Sequence, residues 1–270
     1  MEKPVLKDSD IEMRGRVAVM TFLRDDVRNA LTGTGLVEDL LQALAWVNRA
    51  EDVSVLILTG AGSAFSSGGN VREMSERSGI FGGSVQQIQD QYRRGIQRIP
   101  LAMEAVEVPV IAAINGPAIG AGFDLACMCD LRLASNTAVM GETFVNLGII
   151  PGDGGAWFLQ RLVGYQRAAE LTLTGRLVPA QEALNLGIVL EVTEPDHLLG
   201  RALELAGQIA SKPPRAVRLT KRLLKYAQRG SLPDFLDLSA CFQGMAHHTD
   251  DHVEAVAAFL EKRPGVYFGT

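Results

Sequence analysis

Two glycine-rich stretches hold most of the chemical potential of this sequence. The first runs Ala64-Phe65-Ser66-Ser67-Gly68-Gly69-Asn70, and the second Asn115-Gly116-Pro117-Ala118-Ile119-Gly120-Ala121-Gly122-Phe123-Asp124. Each directly follows a short apolar run, 53–59 and 109–114, that reads as a buried strand. Neither contains a P-loop lysine, and neither has the dinucleotide spacing with a later acidic residue, so phosphate cradling in either standard form finds little support. Glycine permits close backbone approach. One N–H from each loop, converging on a single oxygen, would make an oxyanion hole that stabilises negative charge on a carbonyl. The second loop opens a helix, whose first N–H groups are unpaired and lie at the positive end of the dipole. Taken singly, each loop is better explained as a tight turn and a close helix contact.

The other reactive side chains offer less. Cys127 and Cys129 form a C-x-C pair in an apolar stretch, with no further metal ligands nearby, and read as small buried thiols. His248 and His252 lie four apart on one expected helical face, but two ligands do not make a zinc site. Asp130 opens an expected strand and reads as structural. No metal site is expected.

The elements that must position these loops follow from pattern. Ile11 to Leu23 reads as a hairpin turning at Arg14-Gly15. Apolar residues at helical spacing predict a helix over 35–49 and another over about 84–107, the latter opened by Ser84 and Gln87 as a capping box. From Tyr165 onward helices dominate, for example 179–186, 196–211, 214–228 and 249–261, with Pro213-Pro214 as a break. Strands alternating with helices imply an α/β fold with crossover connections. The 270 residues, 47% hydrophobic and 21% charged, are enough for one large domain or a core plus an appendage. A net charge of −5 with both signs interspersed argues against nucleic acid as a partner. The N-terminal ten residues lack an apolar segment, the most apolar stretch is interrupted, and cysteines are sparse. These point to a cytoplasmic protein without a membrane span.

The two loops together resemble the enoyl-CoA hydratase/isomerase (crotonase) family. The likeness begins at Arg28-Asn29-Ala30-Leu31 and includes both loops, the run Pro109–Gly116, and Gly120–Asp130. It continues through Leu147-Gly148-Ile149-Ile150-Pro151-Gly152-Asp153-Gly154-Gly155, Leu173-Thr174-Gly175, Ala183–Val189 and Phe259–Pro264. The resemblance implies a spiral of ββα units, with a core and acyl-CoA site over 1–200. Residues 201–270 would form a C-terminal helical region that oligomerises, as a homotrimer or dimer of trimers. It implies that the N–H groups of Gly69 and Ala121 polarise a thioester carbonyl. It places CoA against Arg28, Ala30, Ala64, Phe65, Ser67 and Gly68, with Phe259 and Lys262 reaching CoA, often from another subunit. Lys262 is also readable as a solvated lysine at a helix end. The resemblance requires no metal, flavin or nicotinamide; coenzyme A enters only as part of the substrate.

The carboxylates depart from the family pattern. Family hydratases place two glutamates around a water. Here the first place holds Asp124, three residues after Ala121 on the expected helix and so on the same side; the bland alternative is a helix-start acid. The second place holds Phe144, which cannot transfer a proton. Asp153 is the nearest motif-supported substitute, since some family isomerases carry an aspartate in this loop. It could equally be an N-cap. Glu142 is a weaker candidate that could simply open a helix. The expected substrate is a 2- or 3-enoyl-CoA, either hydrated or isomerised, with Asp124 as leading acid/base and Asp153 its partner. A CoA-thioester or C–C bond hydrolase on the same fold, or a CoA-binding protein without hydratase activity, are the alternatives.

Overall fold

The computed structural model describes residues 2–270. Strands β1 (Ser9–Arg14) and β2 (Val17–Phe22) form the expected hairpin, turning at Gly15 with φ +61°. From β2 the chain crosses over through helix α1 (Leu36–Arg49) to β3 (Val55–Gly60), which pairs with β2 in parallel. The next crossover holds α2 (Val71–Glu76), α3 (Val85–Arg94) and α4 (Arg98–Ala105), and ends in β4 (Val110–Ile114), parallel to β3. Short strand β5 (Ala118–Ile119) then leads into α5 (Ala121–Met128) and β6 (Leu131–Ser135), parallel to β4.

Beyond β6 come β7 (Val139–Gly141), α6 (Gly155–Val163), α7 (Tyr165–Thr174), β8 (Val178–Pro179) and α8 (Ala180–Asn185). Strand β9 (Glu191–Thr193) completes a six-stranded sheet in the order β1-β2-β3-β4-β6-β9. A second sheet has the order β5-β7-β8. The chain ends in α9 (Leu198–Ala210), α10 (Pro214–Ala227), α11 (Leu232–His247) and α12 (Asp250–Glu261).

Both faces of the large sheet are covered, which is why its strands read as continuous apolar runs. Side chains alternate between faces with period two. Ala18, Met20, Phe22, Leu56, Leu58, Ala112 and Ile114 join the main core with Leu36, Leu40 and Leu44 of α1. Val17, Val19, Val55, Ile57, Ile111, Ala113 and Leu133 face the other way and meet Leu198, Ala202 and Ala206, one stripe of α9 at i, i+4, i+8. Helix α10 is tied to the core by its cations. Lys221 donates to Asp130 at 2.6 Å and to the Val108 carbonyl, while Arg218 donates to carbonyls of Val47 and Asn48 in the last turn of α1 and of Ala50 and Val53 just beyond it. Asp130 also accepts the Val110 N–H, the structural role expected of it.

Two expected elements differ. The helix read over about 84–107 is two helices. The capping box at Ser84 and Gln87 is present, but Gly95 adopts φ −108°, ψ −112°, outside the helical region, and the chain restarts at Arg98. Pro100 then falls in the first turn of α4, where a missing N–H costs no helical bond. His248 and His252 do not share a helical face, because α11 ends at His247 and Thr249 caps α12. It is His247 whose Nδ1 meets His252 Nε2, at 3.0 Å.

Candidate active site

The two glycine loops come together. A parallel bridge joins Ser66 to Ala118, and Phe65 and Ser66 both donate to the Pro117 carbonyl. The glycines allow this approach: a Cβ on Gly68 would sit 2.8 Å from the Ala121 nitrogen, and one on Gly122 would sit 2.2 Å from the Ser66 carbonyl oxygen. Gly69 and Ala121 line one cavity of about 80 Å3. Around them the backbone is committed elsewhere. Gly68 N–H donates to Ser66 Oγ, Asn70 N–H to Thr32 Oγ1 and Gly120 N–H to the Gly141 carbonyl. The N–H groups of Gly69 and Ala121 have no acceptor among the described residues. Ala121 is the first residue of α5, so its N–H is one of the donors a helix leaves unpaired. This arrangement can place two donors on one oxygen.

The 28–31 segment is laced to the first loop. Ser67 N–H donates to the Arg28 carbonyl, Leu31 N–H to the Gly68 carbonyl, and Asn29 Nδ2 to the Ala64 carbonyl. Arg28 adopts a left-handed φ of +51° and its side chain is exposed. Ala30, Ala64 and Phe65 are buried, and the Phe65 ring packs edge-on against Phe22 with centroids 5.8 Å apart. Phe65 therefore offers a ligand only its backbone. Ser67 lines the cavity and Gly68, the next residue, does not. Phe259 is 82% exposed and Lys262 is the left-handed C-cap of α12; neither lines this cavity.

Three carboxyl groups gather behind the loops. Asp153 lines the cavity and is 4% exposed. It does not cap α6: Gly154 occupies the N-cap at φ +111° with no side-chain cap bond. Asp124 is on α5 as expected but is wholly buried, and its carboxyl lies over Gly155, where a Cβ would come within 2.2 Å of it. Glu142, directly after β7, opens no helix; it is 1% exposed and accepts from Thr172 Oγ1 at 2.8 Å. Both Asp124 oxygens, Glu142 Oε1 and Asp153 Oδ1 have no hydrogen-bond donor among the described residues. Burial pushes the Asp124 carboxyl well above the usual carboxylate range, and the charges of Asp153 and Glu142 push it further. Burial also raises Asp153 and Glu142, with the Thr172 hydroxyl opposing the rise at Glu142.

The remaining wall is mostly apolar. Phe144, which the sequence resemblance sets at the second acid's position, lines the cavity with Ile119, Phe81 and Ile149. Tyr92 of α3 also faces the cavity, and burial followed by the Asp153 charge raises its phenol above its ordinary value. Sequence reasoning passed over Tyr92, and nothing in its spacing separates a wall residue from any other aromatic on an amphipathic helix. Cys127 and Cys129 are buried, and burial pushes the Cys129 thiol up to about 12. No cluster of metal-ligating side chains occurs among the described residues, and no helix among them is long and apolar enough to cross a membrane.

Comparison with known proteins agrees with this geometry. The profile of the enoyl-CoA hydratase/isomerase family matches residues 12–269. The short-chain-enoyl-CoA hydratase of Clostridium acetobutylicum is 37% identical over 261 residues, covering 94% of each chain. The crotonyl-CoA hydratase of Syntrophomonas wolfei is 35% identical, covering 94% of this chain and 95% of that one. The crystal structure of an enoyl-CoA hydratase from Bacillus anthracis superposes with a TM-score of 0.91 at 35% identity, covering 98% of this chain and 100% of the other. The chain belongs to the enoyl-CoA hydratase/isomerase family, and the arrangement of its sheets and helices is the crotonase fold.

Proposed function

We propose that this enzyme moves the double bond of a short 3-enoyl-CoA into conjugation with the thioester, with Gly69 and Ala121 holding the carbonyl oxygen and Asp153 carrying the proton. One observation supports this over the other family reactions. Asp153 is the one carboxyl group among the described residues on the cavity wall, and Phe144 gives an apolar surface where a second acid would stand. A single carboxylate is enough for a 1,3-proton shift. Asp153 takes a proton from C2, the electron pair moves onto the thioester oxygen between the two N–H donors, and the same proton returns at C4. Donors preorganised around developing negative charge are the larger contribution to such a step, and general acid–base transfer adds about 10²–10⁴-fold. No group beyond the thioester and the chain's own residues is needed.

Hydration is the second reading. It is favoured by the names of the two hydratase relatives and by the pairing of Asp153 with Asp124. Two carboxyls sharing one proton supply both a base for water and an acid for carbon. Chromatographic separation of the products from four-carbon 2-enoyl- and 3-enoyl-CoA, each peak identified by mass, separates the readings. The expected result is interconversion without change of mass. Hydroxyacyl-CoA as the sole product would establish hydration, and free CoA would establish hydrolysis.

The small cavity and the relatives' names support a short acyl chain. We place CoA along the Arg28–Leu31 segment and the Ala64–Gly68 loop. Exposed Phe259 and Lys262 then belong to a neighbouring subunit's site in a homotrimer or dimer of trimers, built by residues 201–270 in a cytoplasmic enzyme. Exposed apolar side chains on α11 and α12, such as Leu236, Val253 and Leu260, support that assembly, since symmetric closure would cover them. Light scattering should give three or six times the 29.1 kDa chain mass; a stable monomer would remove the cross-subunit role.

A further inference from the structure

We infer that Glu142 is a positioning residue, the inner end of a three-carboxyl relay Asp153–Asp124–Glu142 that opens on the cavity at Asp153 alone. The inference rests on Asp153 being the proton carrier, and it assigns work to a buried acid that the proton shift does not itself require.

The backbone brings the three together. Gly120 N–H donates to the Gly141 carbonyl at 2.8 Å, which fixes the residue before Glu142 against the residue before α5. Asp124 lies one turn into that helix, with its carboxyl over the start of α6, directly after the Asp153 loop. All three acids are buried, and four of their six oxygens have no hydrogen-bond donor among the described residues. None forms a salt bridge among the described residues. Arg132, whose charge reaches Cys127, spends its donors on the carbonyls of Ile188, Ala126 and Cys129. The other groups facing the cluster are Tyr92 on α3, Cys127 on α5 and Thr172 on α7.

Three carboxyls enclosed without a cation cannot all be charged, so the cluster retains protons at neutral pH. The Thr172 hydroxyl donates to Glu142 and favours its ionised form. Asp124, the most buried and flanked by both others, is the member that stays protonated. Its O–H can turn toward Asp153 or toward Glu142. Turned toward Asp153, it steadies a free carboxylate ready to accept the substrate proton. Once Asp153 is protonated, the Asp124 O–H turns to the Glu142 charge. No proton is gained or lost by the cluster as a whole.

The test is the acid limb of the kcat/KM pH profile, measured with Glu142→Gln and, separately, Thr172→Val. Either change removes or weakens the Glu142 charge, so Asp153 ionises more easily. The acid limb should move to lower pH by about one unit in Glu142→Gln, as for strongly interacting sites, and in the same direction by less in Thr172→Val. KM should stay unchanged. A purely structural Glu142 would lower the melting temperature and leave the limb where it is, which overturns the relay. If Glu142→Gln folds poorly, an unmoved limb in Thr172→Val overturns it equally. Full activity in Asp153→Asn would defeat the proposed proton carrier itself; an inactive Asp153→Asn with an unmoved limb in the other two defeats only the role of Glu142.

Discussion

Asp153→Asn should lower turnover on the best enoyl-CoA by about 10²–10⁴-fold, the usual worth of a general acid–base group, while acyl-CoA still binds. The substitution keeps the shape and removes the charge. It should not unfold the protein, because the Asp153 side chain caps no helix and one of its oxygens has no hydrogen bond to lose. Loss of kcat with KM retained would mark an interaction made in the transition state. Turnover near wild type would show that the proton travels by another group, and Tyr92, on the same wall, would be the next residue to test.

Asp124→Asn makes the informative contrast. Asp124 touches no part of the cavity, so its loss acts through Asp153, and turnover should still fall by about 10²-fold. Its effect on stability has the opposite sign. A carboxyl raised by burial contributes fully to folding below its unfolded pKa, about 3.9. That contribution is lost as pH rises through the folded value. Asparagine does not titrate, so the variant should melt above wild type at neutral pH, with the gap closing toward pH 4. Each unit of raised pKa is worth about 1.4 kcal/mol, and each kcal/mol moves a melting point by about 2–4 °C in domains of roughly this size. A variant less active and more stable separates a site residue from a packing residue.

The strands that support the site were legible because a sheet covered on both faces leaves unbroken apolar runs, as at Val55–Gly60 and Val110–Ile114. The loops were legible as a pair, since only the family resemblance linked Gly69 to Ala121 across fifty residues. What could not be read was depth. Helical spacing put Asp124 on the side of Ala121, yet spacing along one helix does not say which residue another element will cover. Here Gly155 brings α6 directly against its carboxyl, and Asp153 takes the cavity wall. Glu142 read as a possible helix start because a lone acid after a strand has many uses. Its buried carboxyl is met by the Thr172 hydroxyl, thirty residues away. The break at Gly95 was equally local in sequence and tertiary in cause. Gln97, just past it, donates to the Gly152 carbonyl and ties the α3–α4 joint to the loop that carries Asp153.

Ala121→Pro tests the other half of the site, and should cost at least about 10²–10³-fold in kcat/KM, the effect of removing one oxyanion-hole donor. The substitution is chosen for what it leaves intact. Residue 121 is the first of α5, where proline is favoured because its missing N–H would have bonded nothing in the helix. The residue before a proline is steered away from the α region, and Gly120 already stands outside it at φ +53°, ψ −124°. The Ala121 N–H has no acceptor among the described residues, so no internal hydrogen bond is lost. Gly69 offers no such helix-start position, because α2 begins at Val71 with Asn70 as its N-cap. The proline ring also takes space the thioester oxygen needs, so KM for acyl-CoA should rise along with the fall in kcat. Free CoA, which lacks the thioester carbonyl, should bind as in wild type. A melting point close to wild type, unchanged CoA binding and a collapsed kcat/KM would fix the carbonyl oxygen at this N–H. Near-normal turnover in a folded Ala121→Pro would remove Ala121 from the catalytic apparatus, and with it the reason for the two glycine loops to meet.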